Sequence, residues 1–239
     1  MNHMTYAPLA LPFFTLLILA FLALVFLIQL SALRYAYMSI GLSSGMALLV
    51  LLGSLIGSMV NIPVFNLPPE RMVTDQQVDY FGMTYVVPVL VNTPGTIIAV
   101  NVGGAVIPTV ISLYLLARNG LWLRGVLAIA CVAAACHHLA EPVRGVGIAL
   151  PIFAPPLITV AIVLILAWRY AAPLAYVSGS LGTLIGADLL NLGKVGGLGA
   201  PVASIGGAGT FDGIFLTGIL AVLLASFTVG RAPSARRHA

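Results

Sequence analysis

Two aspartates stand in the last two apolar stretches of the chain. Asp188 lies in Leu184-Ile185-Gly186-Ala187-Asp188-Leu189-Leu190, and Asp212 in Gly206-Gly207-Ala208-Gly209-Thr210-Phe211-Asp212-Gly213. An ionisable group at membrane depth costs roughly 2.5 to 3.5 kcal/mol on insertion scales, so it is normally kept for function or paired. Between the two runs Gly193-Lys194-Val195-Gly196-Gly197-Leu198-Gly199-Ala200-Pro201, too rich in glycine, and ended by a proline, for a stable helix. With Asp188 in the final turn of one helix and Asp212 in the first turn of the next, a tight antiparallel connection would bring the carboxyl groups together. Such a pair would share one proton, because like charges a few ångströms apart resist double ionisation. A carboxylate beside a carboxylic acid can activate water and protonate a leaving amine. The helix amino terminus favours an ionised Asp212, which makes Asp212 the base and Asp188 the acid. Gly206, Gly207 and Gly209 would receive an extended substrate, with Asn101 as a further substrate-binding residue.

The same residues admit other roles. Asp212 would cap the first turn of its own helix, with Asp188 facing the interface near Lys194. In a transporter, Asp188 and Asp212 would bind a cation or relay protons, completed by Asn92, Asn101 and the free carbonyls of broken helices. A non-catalytic accessory subunit of a membrane complex remains open as well. A second cluster, Cys136, His137, His138, Glu141 and Arg144, ends the fourth helix; at i, i+4 and i, i+3 spacing His137 and His138 share a helix face with Glu141, which makes a two-ligand metal edge geometrically possible. It lacks a full ligand set and reads as a solvated helix end, so no metal or cofactor is expected.

The elements that position these residues follow from composition. With 61% hydrophobic and 7% charged residues, and a mean hydropathy of +1.13, the chain lies far from the soluble norm of about 25% charged. Apolar runs near 9–30, 40–60, 96–117, 121–138, 147–168, 173–192 and 206–229 predict an all-α polytopic bundle of about seven spans, a single transmembrane domain over 1–239. The run from about Leu9 to Leu30 is too long for a signal-peptide core and reads as a retained helix. Arg34, Arg118, Arg124, Arg169, Arg231, Arg236 and Arg237 fall on one side; Arg71, Arg144 and Lys194 fall on the other. That bias predicts an inner-membrane protein with the amino terminus outside and the carboxyl terminus cytoplasmic.

The stretch from Asn61 to Tyr80 is polar and proline-punctuated, an extracytoplasmic loop by this topology, and Tyr85 to Val91 is β-branched enough to be extended or re-entrant. Glycines and prolines at Asn92 to Gly104, Gly145 to Pro156 and Gly206 to Gly209 break or delay helices on one side of the membrane. The stretch 206–224 also repeats loosely the pattern of 101–116, glycines and a polar residue followed by an apolar helix. Cys131 and Cys136 share a helix at a spacing that gives no redox motif. Trp122, Trp168, Tyr170 and Tyr176 read as interfacial anchors. Basic residues are scattered, which excludes a nucleic-acid patch, and P-loop, serine-hydrolase elbow and zincin motifs are missing. The partners expected are the lipid bilayer and a membrane-protein substrate or partner subunit.

Two resemblances bear on these residues. Gly207-Ala208-Gly209-Thr210-Phe211-Asp212, opening an apolar helix with an aspartate one helix earlier, resembles the G-x-G-D motif of the intramembrane aspartyl proteases. Here two residues separate Gly209 from Asp212, and no clear P-A-L motif follows. The segments Gly57 to Pro63, Asn101 to Gly104, Pro142 to Ile148 and Gly199 to Gly213 together resemble an uncharacterised family of bacterial and archaeal multi-pass membrane proteins, a domain of unknown function. That likeness implies a helical bundle and no particular reaction. The proteases imply peptide hydrolysis by the Asp188–Asp212 pair.

Overall fold

The computed structural model describes residues 11–93, 95–143, 147–198, 200–207 and 213–229. Among these residues eight α-helices run α1 Leu11–Ser39, α2 Ser44–Gly57, α3 Ile107–Asn119, α4 Trp122–Leu139, α5 Ala154–Ala167, α6 Ala171–Thr183, the single turn α7 Leu192–Val195, and α8 Gly213–Val229. Their ends follow local chemistry. The Ser43 hydroxyl accepts from the Met46 N–H at the start of α2, prolines occupy the first turn of α5, and Gly120, at φ +62°, ends α3.

The centre of the bundle is α6. Every residue from Leu174 to Thr183 is buried, and the helix packs against α3, α4, α5 and α8. Backbones approach through small residues, as in membrane helix pairs. A Cβ on Gly182 would meet the Val132 side chain at 2.6 Å, one on Gly186 would fall on the Ala133 carbonyl oxygen, and one on Gly218 would fall on the Ser180 hydroxyl. Gly186→Ala should therefore cost about 1–3 kcal/mol, read as a lower thermal midpoint of the detergent-solubilised protein. Gly193→Ala, whose Cβ meets open space, should leave that midpoint in place.

Strands occupy what the sequence suggested would be loops and helix starts. β1 Asn61–Asn66, β4 Ile97–Asn101 and β7 Val202–Ile205 form a sheet in the order β1-β4-β7, with β1 antiparallel and β7 parallel to β4. β2 Glu70–Tyr80 and β3 Met83–Thr93 make a long hairpin, and β5 Glu141–Val143 and β6 Gly147–Ala149 a short one. Phe81 and Gly82 turn the long hairpin at φ +50° and +76°, the left-handed pair of a type I′ two-residue loop.

The all-α expectation is thus corrected. The region expected as a loop at 61–80 is largely strand, the segment read as extended over Tyr85 to Val91 forms part of β3, and the span expected at 96–117 begins as strand and passes through a π turn, Val102–Val106, before α3. The β-branched runs at Val86-Val87 and Ile97-Ile98 favour pleated backbone, a preference hydropathy windows do not register. The count of about seven spans is corrected too. Among the described residues four helical stretches are long and apolar enough to cross a membrane: Ile18–Ser39, Val102–Asn119, Trp122–Leu139 and Ala154–Val195. Two more, Ser44–Gly57 and Gly213–Thr228, are apolar but shorter. The stretch 154–195, two spans in the sequence reading, runs through 42 helical residues but leaves helical geometry at Ala167 (φ −159°, ψ 67°), where the 3-10 turn Trp168–Tyr170 brings α6 back against α5.

Candidate functional site

Asp188 closes a second π turn, Leu184–Asp188, which interrupts the helical run that starts with α6. Such a turn widens the helical ladder and is often found at functional sites. The carbonyls it loosens are taken up by Asn191, whose Nδ2 donates to Gly186 O at 3.0 Å and Ala187 O at 2.9 Å; Lys194 Nζ in turn donates to Asn191 Oδ1 at 2.8 Å. This lock explains why the glycine-rich segment after Asp188 still holds short helical turns. It fixes Asp188 half-buried, with Oδ2 accepting the Gly206 N–H at 2.7 Å.

Gly206 and Gly207 adopt φ +89° and +82° and turn the chain away from the end of β7. Only glycine fits at Gly206. A Cβ there would meet Ala105 N at 2.6 Å, and a Cβ on the facing Gly104 would fall on the Gly206 carbonyl oxygen. The π turn after β4 therefore packs backbone to backbone on the loop that Asp188 holds. The strands that lead into the two segments of loosely repeated pattern, β4 and β7, pair in parallel here, and each is followed by glycines.

Asn101, proposed from sequence as substrate-binding, is 1% exposed and bonded on both amide atoms. Its Nδ2 donates to Ser58 O at 2.8 Å and Asn61 Oδ1 at 3.0 Å, and its Oδ1 accepts from Gly104 N at 2.8 Å. It ties the end of α2, the start of β1 and the first π turn into one corner. Asn101→Ala would strand those buried groups at about 1–3 kcal/mol each, so a fall in thermal midpoint is expected. Asn101→Asp should be no milder, because it loses both donors.

Sequence reading passed over Asn61 and Ser204. The Ser204 hydroxyl lies 2.6 Å from Asn61 Oδ1 and 2.7 Å from Gly207 O, with one proton to share between them. Their signal was faint: single polar residues in short apolar strands. Asp212 and Gly209 lie outside the described residues, as does Arg144 of the second cluster. In that cluster α4 ends at Leu139 and Glu141 enters β5, so Glu141 leaves the helical phase that would have aligned it with His137 and His138. Among the described residues no group of three His, Cys, Asp or Glu side chains is placed for a metal ion.

Asp188 opens onto a cleft of about 280 Å³ whose walls include Gly147 and Ile148 of β6, Leu192 and Val195 of α7, all of β7, and Gly207. Among the described residues β7 is an edge strand. Because Ile97 N donates to Pro201 O at 3.0 Å, the parallel ladder turns the polar groups of Ala203 and Ile205 toward β4. The N–H and C=O of Val202 and the N–H of Ser204 then point away from β4, while the Ser204 carbonyl accepts from Gly207 N at 3.2 Å. The cleft thus combines a carboxylate, a hydroxyl-bearing strand and outward backbone donors, enough to seat a small solute or a short extended chain.

Residues 55–224 match the model of a family described as "Protein of unknown function (DUF1614)", the greater part of the chain. The chain belongs to that family. No curated protein and no solved structure matches it. The DUF1614 region starts within α2 and ends within α8, so it takes in Asn101, Asp188, Gly206 and Asp212 and leaves α1 outside. The DUF1614 description carries no activity, and the likeness of the Gly207–Asp212 segment to aspartyl proteases stands on those residues alone.

Proposed function

We propose that this DUF1614 chain is an integral membrane protein, a single transmembrane domain over 1–239 in the inner membrane with its amino terminus outside, that hydrolyses peptide bonds as an intramembrane aspartyl peptidase. The observation that carries this reading is the placement of the Asp188 carboxyl group in a cleft walled by β7, an edge strand that among the described residues pairs with β4 alone. An extended segment of a membrane-protein substrate lies along that edge, bonded to the outward groups of Val202 and Ser204. Asp212 takes a proton from water as its oxygen attacks the scissile carbonyl carbon. Asp188 then gives a proton to the leaving nitrogen as the C–N bond breaks, and the pair is left with its protons exchanged.

The test has two arms in proteoliposomes. Transmembrane reporter peptides should be cut by the unaltered protein and not by Asp188→Asn or Asp212→Asn. In a background with Cys131 and Cys136 replaced by Ala, cysteines at 188 and 212 should be joined by a short bifunctional thiol reagent. Failure to cross-link, or normal cleavage by both variants, would falsify the pair. Loss of gradient-driven solute uptake in the same variants, with no peptide product, would replace hydrolysis by transport.

A further inference from the structure

We propose that the β2–β3 hairpin is a membrane-surface element whose apolar face lies in the lipid interface. Its register gives the hairpin two unlike faces. Tyr80 pairs with Met83, Val78 with Tyr85 and Gln76 with Val87, so one face between 76 and 87 is almost wholly apolar. The other carries Gln77 beside Val86 and Asp79 beside Thr84, whose hydroxyl donates to Asp79 Oδ1 at 2.7 Å. The apolar side chains are exposed, and at the tip Phe81 is 87% exposed and held outward at a positive φ that a bulky residue rarely adopts. A two-stranded hairpin is marginal in water without something against its apolar face.

Lipid is the occupant that its surroundings favour. Along the chain the hairpin falls between an apolar helix and a membrane-length helical stretch, α2 and Val102–Asn119, and the Leu67 N–H donates to Thr96 O at 2.8 Å, tying the segments at its base together beside the three-stranded sheet. The outward apolar surface of α2, Leu52, Leu55 and Ile56, continues without a polar break through Met59 and Val60, and resumes on β1 at Ile62, Val64 and Phe65. Tyr80 and Tyr85 are amphipathic rings of the kind that gather at headgroup level. Pro88 sits opposite Asp75, at a position of the two-residue hairpin whose missing N–H would face outward. It blunts the outer edge of β3 against a further strand. That argues for a face resting on lipid and against a second copy pairing through this edge.

The test is Phe81→Trp in a background with Trp122 and Trp168 replaced by Phe, reconstituted in phosphatidylcholine vesicles with and without brominated acyl chains. The expected result is a blue-shifted tryptophan emission that loses intensity in the brominated vesicles; Tyr80→Trp should do the same. Emission at the wavelength of water-exposed tryptophan, with no loss, overturns the proposal. Blue-shifted emission that brominated lipid does not quench, with Phe81→Cys cross-linking between copies, overturns it in favour of a second copy.

Discussion

Asp188→Asn should lower peptide cleavage by about 10²- to 10⁴-fold, the usual contribution of a positioned acid or base, while leaving the fold intact. The two effects separate because of how the side chain is used. Asp188 Oδ2 accepts the Gly206 N–H, and an asparagine oxygen can keep that bond. What asparagine cannot do is shuttle a proton. Asp188→Ala removes both functions and leaves a donor unmatched at about 1–3 kcal/mol. The informative outcome is therefore a pair: wild-type thermal midpoint with lost turnover for Asn, and lost midpoint with lost turnover for Ala. If Asn alone lowers the midpoint as far as Ala does, Asp188 serves as a strut of the Gly206 loop and the catalytic assignment fails.

The largest structural effect is expected from Gly206→Ala. The backbone there holds φ +89°, and the added methyl would meet Ala105 N at 2.6 Å and Gly104 C at 2.8 Å, atoms with no flexible end to yield. Left-handed strain and overpacking together should cost about 3 kcal/mol or more, enough to abolish folded protein in a detergent melt. Gly104→Ala probes the same contact from the other side, since its methyl would fall on the Gly206 carbonyl oxygen. Gly82→Ala separates conformation from contact, for Gly82 holds a similar positive φ, +76°, with nothing within 4 Å of an added methyl. A Gly82→Ala variant as damaged as Gly206→Ala would show that backbone conformation alone sets the requirement.

Hydropathy made the helices legible because burial in lipid and burial in a bundle select the same side chains. Apart from β3, whose β-branched stretch Tyr85 to Val91 reads as extended, the strands were not legible for the same reason. Ile97-Ile98-Ala99-Val100 is apolar enough to open a span, and nothing local states that its partner strand lies at Val202–Ile205. Asp188 drew attention as a charge among leucines, and the structure places it in a cleft. Asn101 was equally visible, and both residues bond backbone within the protein, but Asn101 is buried with both amide atoms taken while Asp188 stays half-exposed at the cleft wall. Residue type marks a costly group, and only the fold tells whether a neighbouring backbone already uses it. Asn191 went unnoticed because its task, filling a π turn, exists only once that turn has formed.

The parallel pairing of β4 with β7 joins residues 97–100 to 202–205, and the Thr96 hydroxyl reaches across the same gap to Ala200 O at 2.8 Å. α3, α4, α5 and α6 intervene. A ribosome delivering this chain from its amino end releases β4 well before its partner strand exists, so the wall beside Asp188 is closed among the last events of biogenesis. Nascent chains halted before Val202 would insert their earlier helices yet lack a finished cleft, which keeps any hydrolytic chemistry silent until synthesis is nearly over.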